Sequence, residues 1–186
     1  IGNYSSGKMG DALAEECAER GAEVILISGP VSLKPIHPNI KRISVESAYE
    51  MFEAAIQEFP EVDAAILCAA VADYKVKEQS AVKLKRTEND LKLELIPNKD
   101  IAAHLGEIKK ENQILIGFAL ETNNEEQNAE KKLAKKKLDY IVLNSLNDTG
   151  AGFKHDTNKI SILSKSGSNN DYPLKSKAEV ASDIID

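Results

Sequence analysis

The sequence predicts an α/β fold of the Rossmann-like class, in which helices cover both faces of a parallel sheet. The first observation is that short, nearly continuous apolar runs, such as 23–28 and 63–68, alternate with segments of helical spacing. Strands buried on both faces of a parallel sheet have this pattern. The second is that neither a repeat nor a Gly/Ser-rich linker divides the 186 residues. We therefore expect a single three-layer domain over residues 1–186, with right-handed crossovers.

The helices and strands follow from local spacing and from stop signals. Met9, Leu13 and Cys17 recur every four residues before Gly21, which predicts a helix at about 7–20. A last helix is predicted from Ser176, where Ser-Lys-Ala-Glu forms a capping box. The other predicted helices are 48–59, about 99–109 and about 125–137, and the predicted strands are 23–28, 40–45, 63–68, 114–118, 140–144 and an edge strand at 159–163.

One segment does not fit the alternation of strands and helices. Residues 81–86 and 91–96 alternate between apolar and polar around Thr87-Glu88-Asn89-Asp90. This is the pattern of a β-hairpin. We expect an inserted hairpin arm at about 79–97.

Composition excludes several classes of function. The net charge of −6 argues against general binding of nucleic acid. Two cysteines without a Cys-x-x-Cys motif argue against a disulfide scaffold or a zinc ribbon, and the three histidines lack metal-site spacing. We predict no metal-ligand set in the chain. Neither an apolar run of about 18 residues nor a signal peptide is present, so we expect no membrane contact and a cytoplasmic setting.

The opening run, Gly2 to Gly10, is the first candidate site. Backbone N–H groups at a helix N-terminus bind anions. The run nearly fits a P-loop, but Met9 stands where that motif needs a Ser or Thr hydroxyl, which disfavours a P-loop NTPase. Its glycine spacing is not G-x-G-x-x-G, which disfavours an NAD-linked oxidoreductase. The structural alternative is a Ser-capped helix whose glycine permits tight packing.

Other candidates follow the carboxyl ends of predicted strands, where α/β folds bind ligands. These loops begin after Ser28, Cys68, Phe118 and Asn144. Asp73 could bind a ribose, a base amine or Mg²⁺, or could instead form an Asx-turn.

The remaining candidates each have a structural alternative. Lys132 and Lys136 share a helix face and could grip a triphosphate, or could be a solvated surface. Phe118 could stack on a base or belong to the core. Lys83 could swing over a phosphate, although exposed strand lysines more often protect a sheet edge.

Four stretches together resemble a known family. In order they are Asn3-Tyr4-Ser5-Ser6-Gly7-Lys8-Met9-Gly10, Ala69-Ala70-Val71-Ala72-Asp73-Tyr74, Lys83-Leu84-Lys85 and Gly117-Phe118-Ala119-Leu120-Glu121-Thr122-Asn123-Asn124. The resemblance is to phosphopantothenate–cysteine ligase, the synthetase part of the bacterial bifunctional protein of coenzyme A biosynthesis, and covers nearly the whole chain. It implies CTP, 4′-phosphopantothenate and L-cysteine as substrates, Mg²⁺ with the nucleotide, and an acyl-cytidylate intermediate.

The resemblance also implies a role for each matching residue. Asn3 would hold the acyl-cytidylate and Lys83, on a mobile arm, would serve the first half-reaction. The loop residues Ser5, Ser6 and Gly7 and the wall residues Ala69 and Ala70 would surround the substrate. The nucleotide-binding set would be Asp73, Asn98, Asp100, Ile101, Phe118, Lys132 and Lys136.

The chain departs from the family's pattern at several points. Lys99 stands in place of a usual proline, and Tyr4 in place of a frequent histidine. The family's first strand with a Gly-Pro-Thr loop and its usual flavin-containing half are not in this sequence. We therefore expect either an open strand position or an N-terminally truncated chain, and no flavin here. Members resemble one another in forming homodimers through the arm. The alternative function is a non-catalytic, nucleotide-binding regulatory domain on a Rossmann-like sheet.

Overall fold

The computed structural model describes residues 5–33, 35–78, 80, 82–83, 85, 91–121, 124–145 and 156–186. Its strands are β1 Val24–Ser28, β2 Ile40–Ser44, β3 Ala64–Leu67, β4 Tyr74–Val76, β5 Leu95–Pro97, β6 Ile114–Glu121, β7 Tyr140–Ser145, β8 Thr157–Ser164 and β9 Asn169–Ser176. Its helices are α1 Lys8–Glu19, α2 Ala48–Glu58, α3 Ile101–Ile108, α4 Glu125–Lys135 and α5 Lys177–Ile185, with a short 3-10 turn at Phe59–Glu61.

The central sheet confirms the predicted α/β class. Its five strands lie in the order β3-β6-β7-β8-β9, with β3, β6 and β7 parallel and the last two antiparallel. Strands β1 and β2 form a separate parallel pair. Within the described ranges, β1 pairs only with β2 and β3 pairs only with β6. The open strand position between them stays a prediction.

Two hydrophobic cores, one on each face of the sheet, produce the three layers. Side chains alternate between faces along a strand. Leu115 and Ile141 therefore belong to the core under α2, α3 and α4, while Ile116 and Val142 belong to the core under α1 and α5. We call these the first core and the second core. Helix α1 packs on the second core and begins at the carboxyl end of the parallel strands.

The prediction that residues 159–163 form the edge strand is wrong about the place of this strand in the sheet. Strand β8 is longer and lies between β7 and β9, so that β9 is the edge. Strand β9 was missed because its sequence, Asn169 to Ser176, is mostly polar and contains Pro173. Polar residues and proline are common on edge strands, where they discourage further pairing. The Ser166-Gly167 turn, with a positive φ at Gly167, was the available hairpin signal.

The strands at the base of the arm also differ from the prediction. The structure pairs β4 with β5, with Lys75 opposite Ile96. Residues 91–94 are not strand, and much of 81–86 lies outside the described residues. The Lys77 N–H donates to the Glu94 carbonyl at 2.9 Å, and their side chains form an ion pair at 2.8 Å. The two chain segments therefore pair at residues 74–76 and 95–97, outside most of the predicted hairpin strands.

Candidate functional site

The opening loop and α1 form the first part of the site. Gly7 is the N-cap of α1, with φ of +78°, and a Cβ there would lie 3.0 Å from a Val31 methyl. Both the backbone conformation and the close approach favour glycine. A Cβ on Gly10 would lie 3.3 Å from the Cys68 Sγ. The first turn of α1 therefore rests on the chain just beyond β3, at the carboxyl end of the sheet.

The N–H groups of this turn suit an anion. No side chain of the described residues caps α1, because the N-cap is Gly7 and the Gly7 N–H itself donates to Ser5 Oγ at 3.5 Å. The Ser-capped alternative is therefore wrong. Ser5, Ser6 and Gly7 are all half-buried beside the helix start. Asn3 lies outside the described residues.

Two carboxamides with buried side-chain oxygens, which the sequence did not single out, lie beside α1. Asn144, near the end of β7, and Asn158, in β8, each lie two residues from a second-core residue, Val142 and Ile160, and therefore share the face that α1 covers. The Asn158 side chain is buried, and its Nδ2 lies 3.6 Å from the Met9 Sδ. Among the described residues, neither Oδ1 atom has a hydrogen-bond partner. Buried polar atoms without partners are rare and often mark functional sites.

A second pair of incompletely bonded groups lies between α1 and the β1–β2 pair. Asp11 is buried, and burial raises the pKa of its carboxyl, although the Arg42 charge opposes this. The Arg42 guanidinium donates to the Leu33 carbonyl at 2.6 Å and to Ser28 Oγ at 3.3 Å. Within the described residues, Asp11 Oδ2 and Arg42 Nε have no partner. The face of α1 that lies against the β1–β2 pair is therefore polar near the N-terminus of the helix.

The turn after β3 joins the loop before α3, as the predicted site requires. The Asn98 N–H donates to the Asp73 carbonyl and its Nδ2 donates to the Ala72 carbonyl, each at 2.8 Å. Asp73 itself is exposed, as is Ala69, while Ala70 is half-buried. Asn98 therefore orders this turn, and its own side-chain amide is already used in doing so.

Asp100 and Lys136 meet at the N-terminus of α3. Asp100 is the N-cap, and its Oδ1 accepts from the Ala103 N–H at 3.1 Å. The Lys136 Nζ lies 3.0 Å from Asp100 Oδ2. Burial by itself would raise the pKa of Asp100, but bonds from the Ala103 N–H and Lys136 outweigh it and lower that pKa. Ile101, the next residue, packs against the first core, so its side chain is structural.

Phe118 and Lys83 are placed less favourably for the predicted roles. Strand β6 continues to Glu121, so Phe118 lies within a strand and packs, half-buried, against the second core. Its face of the sheet is the one that carries Asn144. Lys83 is exposed. Lys132 lies on α4, one helical turn before the C-cap residue Lys136 and on the same side of the helix.

Lys99 fastens the loop that carries Asn98 and Asp100 to α2. Its ammonium lies 4.3 Å from the ring centroid of the buried Phe52 and 5.4 Å from that of Tyr49. It also lies 3.6 Å from Glu53 Oε1. Cation–π contacts of this kind stabilise by roughly 0.5–1 kcal/mol at exposed sites. The lysine thus has a structural role where the family resemblance predicts proline.

Across the ranges described above, no helix is long and apolar enough to cross a membrane. The same residues contain no group of three or more His, Cys, Asp or Glu side chains placed to hold a metal ion.

Comparison with known proteins gives relatives with two different names. A cysteine/cysteine sulfinic acid decarboxylase from an unknown prokaryotic organism is 54% identical over all of this chain and 52% of its own length. The coenzyme A biosynthesis bifunctional protein CoaBC of Bacillus subtilis is 46% identical over 98% of this chain and 45% of its own. This chain thus spans about half the length of these relatives.

Structural comparison agrees with the sequence matches. The crystal structure of the C-terminal domain of a CoaBC protein is 41% identical, with a TM-score of 0.82, over 100% of this chain and 82% of that one. A family profile described as "DNA/pantothenate metabolism flavoprotein C-terminal domain" matches residues 1–186. This chain belongs to the DNA/pantothenate metabolism flavoprotein C-terminal domain family.

Proposed function

We propose that this chain ligates 4′-phosphopantothenate to L-cysteine at the expense of CTP, through an acyl-cytidylate. One observation carries the proposal: two features suited to anions lie at the carboxyl end of the same sheet. They are the N-terminus of α1, which no side chain of the described residues caps, and the ammonium of Lys136 beside the cap of α3. A reaction between a nucleoside triphosphate and a phosphorylated acid needs both. Relatives named for coenzyme A biosynthesis support this assignment.

In the first step, the phosphopantothenate carboxylate attacks the α-phosphorus of CTP and pyrophosphate leaves. Negative charge builds on phosphoryl oxygens, so positioned cations and N–H donors accelerate the step. Lys132 and Lys136 hold the triphosphate, and Lys83 approaches the α-phosphoryl from the arm. Asp73, within the turn ordered by Asn98, binds the cytidine. Bound to CTP, Mg²⁺ would neutralise charge on the phosphates.

In the second step, the cysteine amine attacks the acyl carbon, an amide bond forms, and CMP leaves as the amine loses a proton. The tetrahedral intermediate carries an oxyanion, which N–H donors can stabilise. The loop Ser5-Ser6-Gly7 supplies donors at the start of α1, and we assign Asn3 to the same step from the family resemblance. The carboxamides of Asn144 and Asn158, whose Oδ1 atoms are buried, lie on the same side of the sheet and keep this end of the helix polar.

We also propose that the protein acts as a cytoplasmic homodimer joined through its arms. Three apolar side chains near the arm are exposed to solvent: Val82 by 74%, Leu91 by 69% and Leu93 by 57%. Apolar side chains gathered on one exposed segment are typical of an interaction surface. A second copy of the arm presents the same apolar residues and would cover them.

The direct test of function is an assay by mass spectrometry with CTP, Mg²⁺, phosphopantothenate and cysteine. We expect phosphopantothenoylcysteine, CMP and pyrophosphate in equal amounts, and no amide when any substrate is omitted. The second candidate, a nucleotide-binding regulatory domain, predicts that calorimetry detects CTP binding while the assay finds no turnover. Release of CO₂ from cysteine without nucleotide consumption would instead favour a decarboxylase and contradict the ligase.

The lysines of α4 give a prediction specific to the nucleotide. Replacing Lys132 or Lys136 by alanine is expected to raise the KM for CTP about tenfold, because one charge-assisted bond to a phosphate is lost. The KM for cysteine should not change. Initial rates measured while each substrate is varied in turn check this. Lys131→Ala, on the exposed side of the same helix, is the control. An equal rise in both KM values would contradict the assignment.

A further inference from the structure

Helix α3 and the end of α4 approach more closely at one point than ordinary side chains permit. A Cβ built on Gly106 would lie 1.9 Å from the Lys136 carbonyl oxygen and 2.9 Å from its carbonyl carbon. These are backbone atoms, which cannot rotate away as a side chain can. Gly106 is buried and lies inside α3, where glycine costs roughly 0.5–1 kcal/mol relative to alanine. Close packing, rather than helix stability, therefore explains the glycine.

The side chain of Lys136 is held by the same helix. Gly106 lies six residues after Asp100, which is about 9 Å along the helix axis. The Lys136 backbone contacts α3 at Gly106, whereas its ammonium lies 3.0 Å from Asp100 Oδ2 at the N-cap. The lysine stem must therefore run along α3 towards the carboxyl end of the sheet. Helix α3 fixes both ends of this lysine.

The turn after Lys136 leaves the backbone little freedom to adjust. Lys137 has φ of +52°, and the Leu138 N–H donates to the Leu133 carbonyl at 3.0 Å, which closes the end of α4. Leu138 is buried, and a Cβ on Gly117 would lie 2.7 Å from its Cδ1. Because the turn is packed on both sides, a displacement at Gly106 would be passed to Lys136.

We propose that Gly106 is a positioning residue for the nucleotide. It lets α3 and the end of α4 pack closely, which places Lys136 where its ammonium contacts the triphosphate. Asp100 holds the ammonium in line before the nucleotide binds. The inference rests on the proposed function, since it assigns Lys136 to the triphosphate. It goes further in giving α3, which has no phosphate-binding lysine of its own, control over affinity for CTP.

The test is a double-mutant cycle in the full-length protein that contains this chain. Gly106→Ala is expected to raise the KM for CTP by about tenfold or more, because misplacing a binding group by about 1 Å is costly. The KM for cysteine should not change. In the Lys136→Ala background, Gly106→Ala should produce no further rise, since the group it displaces is gone. Glu107→Gly, an exposed substitution that weakens α3 without a steric clash, controls for general destabilisation of the helix and should leave both KM values unchanged.

A second variant tests the other end of the lysine even if Gly106→Ala does not fold. Asp100→Asn keeps a good helix cap but removes the carboxylate that holds the ammonium. This substitution should raise the KM for CTP in the wild-type background and leave it unchanged in the Lys136→Ala background. Additive effects of either substitution with Lys136→Ala would overturn the inference while leaving the ligase intact. A wild-type protein that consumes no CTP would overturn the proposed function and the inference together.

Discussion

Replacing Lys83 by glutamine is expected to stop formation of the acyl-cytidylate, with pyrophosphate release falling by at least about 100-fold. The physical reason is that the α-phosphoryl group gains negative charge as the carboxylate attacks. Glutamine keeps much of the length of the side chain but not its charge. Lys83 is exposed, so its replacement should leave the fold unchanged. A burst assay for pyrophosphate without cysteine measures this half-reaction alone.

Two other variants give this prediction its controls. Lys85→Gln removes a charge from an exposed position of the same arm and should leave the burst intact. Asn3→Asp should still release pyrophosphate but should let the acyl-cytidylate accumulate, because Asn3 serves the attack by cysteine. A normal rate of intermediate formation by the Lys83→Gln protein would show that Lys83 has no part in the first step.

Replacing Asp139 by asparagine is expected to lower the free energy of unfolding by about 3 kcal/mol, the cost of breaking a buried ion pair. Asp139 is buried before β7 and accepts hydrogen bonds from Lys109 at 2.6 Å, Lys165 at 2.5 Å and the Leu115 N–H at 2.8 Å. Lys109 is itself largely buried, so the substitution leaves a cation without its partner. Urea unfolding measures the loss.

The effect of Asp139 should depend on pH. Burial by itself would raise the pKa of this carboxyl, but bonds from Lys109, Lys165 and the Leu115 N–H outweigh it and lower the pKa. The unfolded chain therefore binds this proton more readily than the folded protein does. The stabilisation is complete above the unfolded pKa, about 3.9, and is lost as pH falls through the folded value. The difference between wild type and Asp139→Asn should therefore shrink in acid.

A matched substitution separates this network from surface ion pairs. Glu94→Gln removes an exposed carboxylate whose partner, Lys77, is also exposed, and should cost less than about 1 kcal/mol. If Asp139→Asn and Glu94→Gln had equal effects, the buried network would contribute little. A difference between wild type and Asp139→Asn that grew in acid would contradict the direction of the pKa shift.

Much of the fold could be predicted because local signals and tertiary packing agree. The four-residue spacing of Met9, Leu13 and Cys17 predicted α1 to within one residue at each end. The predicted capping box is present, since the Ser176 Oγ accepts from the Glu179 N–H and the Glu179 carboxylate accepts from the Ser176 N–H. Strand β9 escaped prediction because an edge strand needs no apolar face.

The site was less predictable because its groups depend on distant parts of the chain. The contact of Asp100 with Lys136 joins residues far apart in sequence, although the resemblance had assigned both to the nucleotide. Asn144 and Asn158 look like ordinary polar residues until the fold buries their side-chain oxygens beside α1. The role of Gly106 has no local signal, since only the approach of α4 requires it. Such features follow from packing and not from spacing.

The most direct test of the central claim is to follow the carboxylate oxygen. Phosphopantothenate with a heavy-oxygen label in its carboxylate is incubated with CTP, Mg²⁺, cysteine and the full-length protein, and the products are weighed by mass spectrometry. Attack on the α-phosphorus predicts one labelled oxygen in CMP and none in pyrophosphate. Label in inorganic phosphate, with CDP as the nucleotide product, or amide formed without any nucleotide consumed, would contradict an acyl-cytidylate ligase.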